Sequence, residues 1–234
     1  MQLSPTSPTL IDTLVPGRSL VKNVALIVGF SVFVTVFAQI AIKLPFTPVP
    51  ITGQTLAVLL TGGAMGANRG AASLALYAAW GMIGIPVFAP SSGALEGELV
   101  HFIFPWEGSA TFLWDITSGG YIVGFIAAAY VIGKLAERGW DRGWNVTVAM
   151  LVGNLIIYVP GLLWLGFVIG NGTLDGQLGF ELATVIPGSN TFDKTLVAGF
   201  YPFVVGDLLK LYVAAIALPG AWALFGRNTN HQPK

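Results

Sequence analysis

Cysteine is absent from all 234 residues, which excludes disulfides, thiolate metal sites and a cysteine nucleophile and leaves the redox compartment open. Charge is nearly as scarce. Asp, Glu, Lys and Arg make up 9% of the chain, against about a quarter in an ordinary soluble domain. The 11 basic and 11 acidic residues cancel and the basic ones form no run, which argues against a nucleic-acid partner. No Gly-x-x-x-x-Gly-Lys-Ser/Thr phosphate loop is present, so the chain has no such route to ATP hydrolysis. No Gly-x-Ser-x-Gly or His-Glu-x-x-His motif points to a hydrolase either. The two histidines, His101 and His231, are far apart in sequence and read as ordinary surface residues, with no metal pair or catalytic base between them. Neither a cofactor nor a metal is expected, nor catalysis.

What the chain has in abundance is apolar surface. Hydrophobic residues make up 54% of it and mean hydropathy is +0.75, the composition of an integral membrane protein. Six stretches near the ~20 residues that a membrane-crossing helix needs can be read, at about 22–42, 52–67, 70–89, 118–136, 145–170 and 197–224. The expected fold is therefore all-α, a single membrane domain with a six-helix bundle over 21–225. The first 20 residues lack the pattern of a signal peptide and read as a cytoplasmic tail, with a second tail over 226–234. Arg18, Lys22, Arg69, Lys134, Arg138, Arg142, Arg227 and Lys234 fall on one side of these spans, against Lys43 and Lys194 on the other. The positive-inside rule then puts both termini in the cytoplasm and the long loops, about 88–117 and 171–196, outside.

Two outward segments look built to cover something. Lys43 to Thr55 holds Pro45, Pro48 and Pro50, which fix extended backbone and make a stiff lid rather than a floppy connector. The loop from Phe88 to Thr117 carries Phe102, Phe104, Trp106, Phe112 and Trp114, rings that suit the headgroup zone or a ligand equally well. Thr117-Ser-Gly-Gly-Tyr121 has no basic partner and reads as a tight turn opening a helix, not as a phosphate cradle. Ala25 and Gly29, and again Gly120 and Gly124, form small-xxx-small pairs that let helices approach closely in lipid. An outward-facing Ala25 and Gly29 would make a docking surface for another membrane subunit.

The chemistry concentrates in the last apolar stretch. Asp207 and Lys210 are three residues apart, so on a helix they share a face, and ionisable groups at membrane depth mark a functional site or tie helices together. Gln54, Tyr121, Asn154 and Tyr158 are polar candidates on neighbouring helices, each equally suited to a helix-to-helix hydrogen bond. Trp80 and Trp164 are candidates for apolar contact or plain packing.

Seven blocks, taken in order, resemble one family. They are Leu44-Pro-Phe-Thr-Pro-Val-Pro-Ile-Thr-Gly-Gln-Thr-Leu56, Gly66-Ala-Asn-Arg-Gly-Ala-Ala-Ser-Leu-Ala-Leu-Tyr77, Gly84-Ile-Pro-Val-Phe88, Thr117-Ser-Gly-Gly-Tyr-Ile-Val-Gly-Phe125, Leu135-Ala-Glu-Arg-Gly139, Tyr158 to Trp164 and Gly206-Asp-Leu-Leu-Lys210. Over roughly residues 20 to 220 the chain resembles the BioY family, the biotin-specific substrate-binding (S) components of energy-coupling factor (ECF) transporters. The resemblance implies biotin as substrate and a multi-pass position in the cell membrane. It also implies a transport module of a transmembrane coupling protein and two ABC-type ATPases. Ala25 and Gly29 match the family's first-helix motif that lies against the coupling protein. Ala89-Pro-Ser-Ser-Gly93 stands where the family has a short Gly-rich run, which leaves the group that meets the ligand carboxylate unassigned.

The residues suit that ligand. The ureido ring of biotin carries one carbonyl and two N–H groups, so Lys210 can donate to the first and Asp207 accept from one of the second. Gln54, Tyr121, Asn154, Tyr158 and Trp164 complete the expected substrate site. On the residues alone, two other classes stay open: a self-sufficient carrier using Asp207 as a proton-linked site, and a membrane enzyme using it as a base. No self-similarity between the halves supports the carrier.

Overall fold

The computed structural model describes residues 7–17, 19–90 and 99–225. The positions Arg18, Ser91 to Gly93, Glu96, Glu98, Arg227, His231 and Lys234 lie outside them. The chain is a mostly helical membrane protein in which at least four helical runs are long and apolar enough to cross a bilayer. They are α2 (Leu20–Ala38), α5 (Gly119–Ala136), α6 (Asn145–Asn171) and the run Thr191–Phe225, which consists of α9 (Thr191–Gly199) and α10 (Tyr201–Phe225). Between α2 and α5 lie two shorter helices, α3 (Gln54–Met65) and α4 (Ala67–Met82), and a short α1 (Leu10–Leu14) precedes them all. Single turns α7 (Asp175–Leu178) and α8 (Leu182–Val185) connect α6 to α9.

Glycine sets the closest helix contacts. A Cβ on Gly120 would sit 2.3 Å from the Pro160 carbonyl oxygen of α6, and one on Gly124 would sit 2.8 Å from that of Ile157. Absent side chains there let α5 and α6 pack backbone to backbone, the arrangement small residues permit in lipid. Gly66 has another task. Its φ of 80° makes the sharp link from α3 to α4, and the Glu137 carboxylate accepts from the next amide, Ala67 N–H, at 2.9 Å.

The segment expected as a cytoplasmic tail is in part a packed element. Thr9 caps α1, Leu10 and Ile11 are buried, and α1 lies against α3 and α10. The Arg69 guanidinium, in the first turn of α4, grips both carboxylate oxygens of Asp12 at 2.8 Å and the Thr9 hydroxyl at 3.0 Å. Leu10, Ile11, Leu14 and Val15 have helical spacing, but in a five-residue helix flanked by Pro8 and Pro16 the run is too short to stand out from a polar tail.

The fold is also not wholly α. Strands β1 (Ile40–Ile42), β2 (Ile51–Thr52) and β3 (Val100–Phe102) form an antiparallel sheet in the order β2-β1-β3, so the proline-rich lid, through β2, and the aromatic loop, through β3, are both hydrogen-bonded to β1 between them. His101, expected at the surface, is buried within that sheet, its Nδ1 3.2 Å from Glu107 Oε2. The sixth predicted span breaks at Phe200, and the second and third are shorter than predicted.

Burial tends to raise the Asp12 pKa, but the hydrogen bonds from Arg69 and Thr9 and the Arg69 charge outweigh it and hold the carboxyl below its usual value. A depressed carboxylate contributes stability that is fully present above the unfolded value of about 3.9 and is lost as pH falls through the lowered folded value. Hydrogen-exchange protection of residues 8–17, relative to the unstructured rate at the same pH, should therefore be high at neutral pH and should fall both in acid and in Arg69→Ala at neutral pH. Equal protection in wild type and Arg69→Ala would contradict the clamp.

Candidate functional site

Asp207 and Lys210 lie one turn apart on α10 and line a cavity of about 570 Å³, counting its open mouth. Its apolar walls come from Val49 and Pro50 of the lid, Ile122 and Phe125 of α5, Ile157 of α6 and Phe203 of α10. A mainly apolar wall with a few convergent polar groups is the usual lining of a small-molecule site.

Asp207 is buried, and three donors from three helices meet it. Its Oδ1 accepts from the Lys210 ammonium at 2.9 Å and from the Thr55 hydroxyl of α3 at 3.0 Å, while its Oδ2 accepts from the Tyr158 hydroxyl of α6 at 2.5 Å. A carboxylate offers about four lone-pair positions, so one on Oδ2 is left over. Lys210 uses one of its three donors on Asp207, and no other acceptor for it is found among the described residues. The pair as a whole is neutral, with one acceptor and two donors unspent beside the cavity. Such an edge fits an uncharged ligand group that carries a carbonyl next to an N–H.

A second polar cluster faces the same cavity. Gln54, at the first position of α3, donates from Nε2 to the Tyr77 hydroxyl at 2.7 Å and accepts at Oε1 from Thr52 at 2.9 Å. Tyr77 is completely buried on α4. Tyr121, in the first turn of α5, donates to the Gly199 carbonyl at 2.8 Å. That carbonyl is free because the helix breaks at Phe200. The neighbouring Ala198 carbonyl, which Pro202 lacks the N–H to meet, accepts from the lid hydroxyl of Thr47 at 2.5 Å. Thr117 ties the lid at another point, donating to the Pro48 carbonyl at 3.1 Å.

Of the expected residues, the structure brings Gln54, Tyr121, Tyr158, Asp207 and Lys210 together at the cavity. Trp164 is not at its wall. The indole N–H donates to the Ile116 carbonyl at 2.8 Å and the ring stacks on Phe167, so it holds the approach to α5. Asn154 is buried one turn before Tyr158 and is not at the wall either, its Oδ1 without a hydrogen-bond partner among the described residues. Trp80 lines a separate apolar groove. Thr55 and Tyr77 belong to the cavity and were not expected there, though both stand in blocks that carried the family resemblance. Ala25 and Gly29 lie on an exposed face of α2, and no atom comes within 4 Å of a Cβ placed on Gly29.

A family model described as the BioY family matches residues 9–227. The "Probable biotin transporter BioY" of Pyrococcus horikoshii is 30% identical over 195 residues, covering 83% of this chain and 93% of that one. The "Biotin transporter BioY" of Thermotoga maritima is 33% identical over 187 residues, covering 80% and 88%. Among solved structures, the crystal structure of the S-component for biotin from an ECF-type ABC transporter superimposes with a TM-score of 0.56 at 21% identity, over 87% of this chain and 93% of that chain, a likeness of fold.

The Gln54–Tyr77 bond gives a test of the inner wall. Gln54→Leu leaves a buried hydroxyl without its partner and should destabilise by about 1 to 3 kcal/mol, whereas adding Tyr77→Phe should recover most of the loss. Thermal unfolding of the singles and the double in detergent reads this out; additive losses would show that the two side chains act apart.

Proposed function

Because the chain belongs to the BioY family, we propose that it captures biotin at the Asp207–Lys210 cavity as the substrate-binding membrane subunit of an ECF-type transporter. One observation carries the reading: the cavity edge keeps one acceptor and two donors unspent, the complement of the ureido ring. Lys210 donates to the ureido carbonyl, the open position on Asp207 Oδ2 accepts a ring N–H, and Tyr158 and Thr55 hold the carboxylate in place. Ile122, Phe125, Ile157 and Phe203 take the thiophane ring and the valeryl chain. Gln54 and Tyr121 serve as wall polar groups. Charge-assisted bonds are worth about 1.5 to 3 kcal/mol each and fix orientation, while burial of the apolar parts supplies affinity.

The single membrane domain crosses the bilayer six times, by α2, α3, α4, α5, α6 and α10, with both termini in the cytoplasm. What supports this is the position of Lys22, Arg69, Lys134, Arg138 and Arg142 at the end of the bundle away from the sheet. Biotin then enters from outside through the lid, whose Val49 and Pro50 are part of the wall. Release inward needs a coupling protein and two ABC-type ATPases. The stripe of α2 that holds Ala25 and Gly29 is the face offered to the coupling protein, in keeping with its exposure.

Two measurements follow. Asp207→Asn and Lys210→Ala should each weaken biotin binding to the purified protein at least tenfold, about 1.4 kcal/mol, while the protein still inserts; unchanged affinity removes the pair from recognition. Gly29→Leu, which meets open space, should abolish uptake with the module present and leave binding to the isolated subunit intact. If binding fell with uptake, the position would belong to internal packing, and uptake by this chain without ATPases would make it a carrier in its own right.

A further inference from the structure

The sheet beside the cavity is built inside out. In β1 and β3, Ile40 faces Phe102 and Ile42 faces Val100 across the ladder, while Ala41 faces His101 on the other side. The first face is apolar and open: Val100 is 68% exposed, Phe102 67% and Ile42 43%. The second is polar and closed. His101 is 4% exposed and Lys43, two residues beyond Ala41, is 5%, and both lie 3.2 Å from the Glu107 carboxylate. An antiparallel sheet against water has the reverse arrangement, with apolar residues toward the core and polar ones outward.

The apolar face continues sideways. Phe104 is exposed, and Trp106 turns its only polar atom inward, donating from Nε1 to the Pro86 carbonyl at 2.8 Å. Trp106 also walls an apolar groove with Trp80, Ile85, Pro86 and Val32. The Thr35 hydroxyl in this groove is spent on the Ser31 carbonyl at 3.0 Å. Val32 belongs to the exposed stripe Val24, Val28 and Val32 of α2, a helix long and apolar enough to cross the membrane. The groove is therefore continuous, through Val32, with an exposed apolar stripe of a helix that can cross the membrane.

We propose that the Ile42, Val100 and Phe102 face of the sheet is immersed in the lipid leaflet at its end of the bundle, and that an acyl chain of that leaflet seats in the Trp80–Trp106 groove. The covering of the cavity is then a float held in lipid on one side and by the Lys43–Glu107–His101 layer on the other. A charge on its outer face would be costly at that depth, which accounts for the inward placement of Lys43 and His101.

The absence of cysteine makes the test direct. Val100→Cys, Phe102→Cys and, as a control at the exposed connection after α6, Thr173→Cys would each carry a nitroxide, with the isolated chain in phosphatidylcholine and phosphatidylglycerol nanodiscs. Collisional access to oxygen relative to a nickel chelate should be several-fold higher at 100 and 102 than at 173. Ratios at 100 and 102 equal to that at 173 would overturn the proposal, and so would labels that lie in water until a coupling protein is added and are then shielded. Either labelled site suffices if the other variant does not fold. Biotin binding by the same variants separates the two readings: binding retained with water-like labels defeats the float alone, and binding lost with lipid-like labels leaves the float standing.

Discussion

A carboxylate in an apolar helix bundle is tolerable only when donors surround it, and Asp207 gathers its donors from three helices at once. Lys210 comes from the same α10, Thr55 from α3 and Tyr158 from α6. Removing one partner of a buried charge costs far more than the pair contributes, so these helices are constrained to meet at that point. The constraint spreads through rings. Tyr158 packs edge-on against Phe200 at 5.1 Å and Tyr121 at 6.3 Å, and Tyr121 in turn bonds Gly199. The anion, the helix break at Phe200 and the start of α5 form one connected unit.

Pro202 and the break together make the lid possible. A continuous helix through Phe200 would spend the Gly199 carbonyl on its own ladder, while that of Ala198 is left over in any case because Pro202 has no N–H. Ended there, with Pro202 lacking an N–H, the helix presents both outward, one to Thr47 of the lid and one to Tyr121 beside the cavity. Lid and wall are therefore fastened to adjacent carbonyls of one helix end.

What the sequence disclosed follows from what it can encode locally. Apolar runs of about 20 residues made α5 and α6 readable nearly to their ends, while the first run carried the reading of α2 on through β1, and a spacing of three placed Asp207 and Lys210 on one face. The break at Phe200 was hidden because both sides of it are apolar and Pro202 sits where a helix start tolerates proline. The sheet was hidden for a different reason. Strands of two and three residues have no period, and the partners of β1 lie both before and far after the helices α3 and α4 in the chain. His101 was misplaced by the same gap, since polar residues in outer loops are exposed unless a sheet folds over them. Trp164 and Tyr77 show the limit of residue type as a guide: both are large and amphipathic, and only the position of Ile116 sends one away from the cavity while Gln54 holds the other at it.

The scarcity of charge has a structural use. Lipid tails are as apolar as leucine, so burial of side chains drives little association between helices in a membrane, and close packing and polar ties have to do that instead. The few ionisable groups are spent accordingly: Asp207 joins three helices, Glu107 draws Lys43 and His101 under the sheet, Arg69 fastens α1, and Asp141 accepts from Trp222 at 2.5 Å while Arg142 lies 3.6 Å over that indole. Two of these sets lie at each end of α10 and its neighbours, and between them the contacts are glycine against backbone. The Asp207–Lys210 pair is largely buried and so little screened by salt, whereas Asp12 and Arg142, each 41% exposed, meet water. The cavity lies beside one of these ties, and the Asp207–Lys210 pair leaves donors and an acceptor over at its edge after the tie between helices is made.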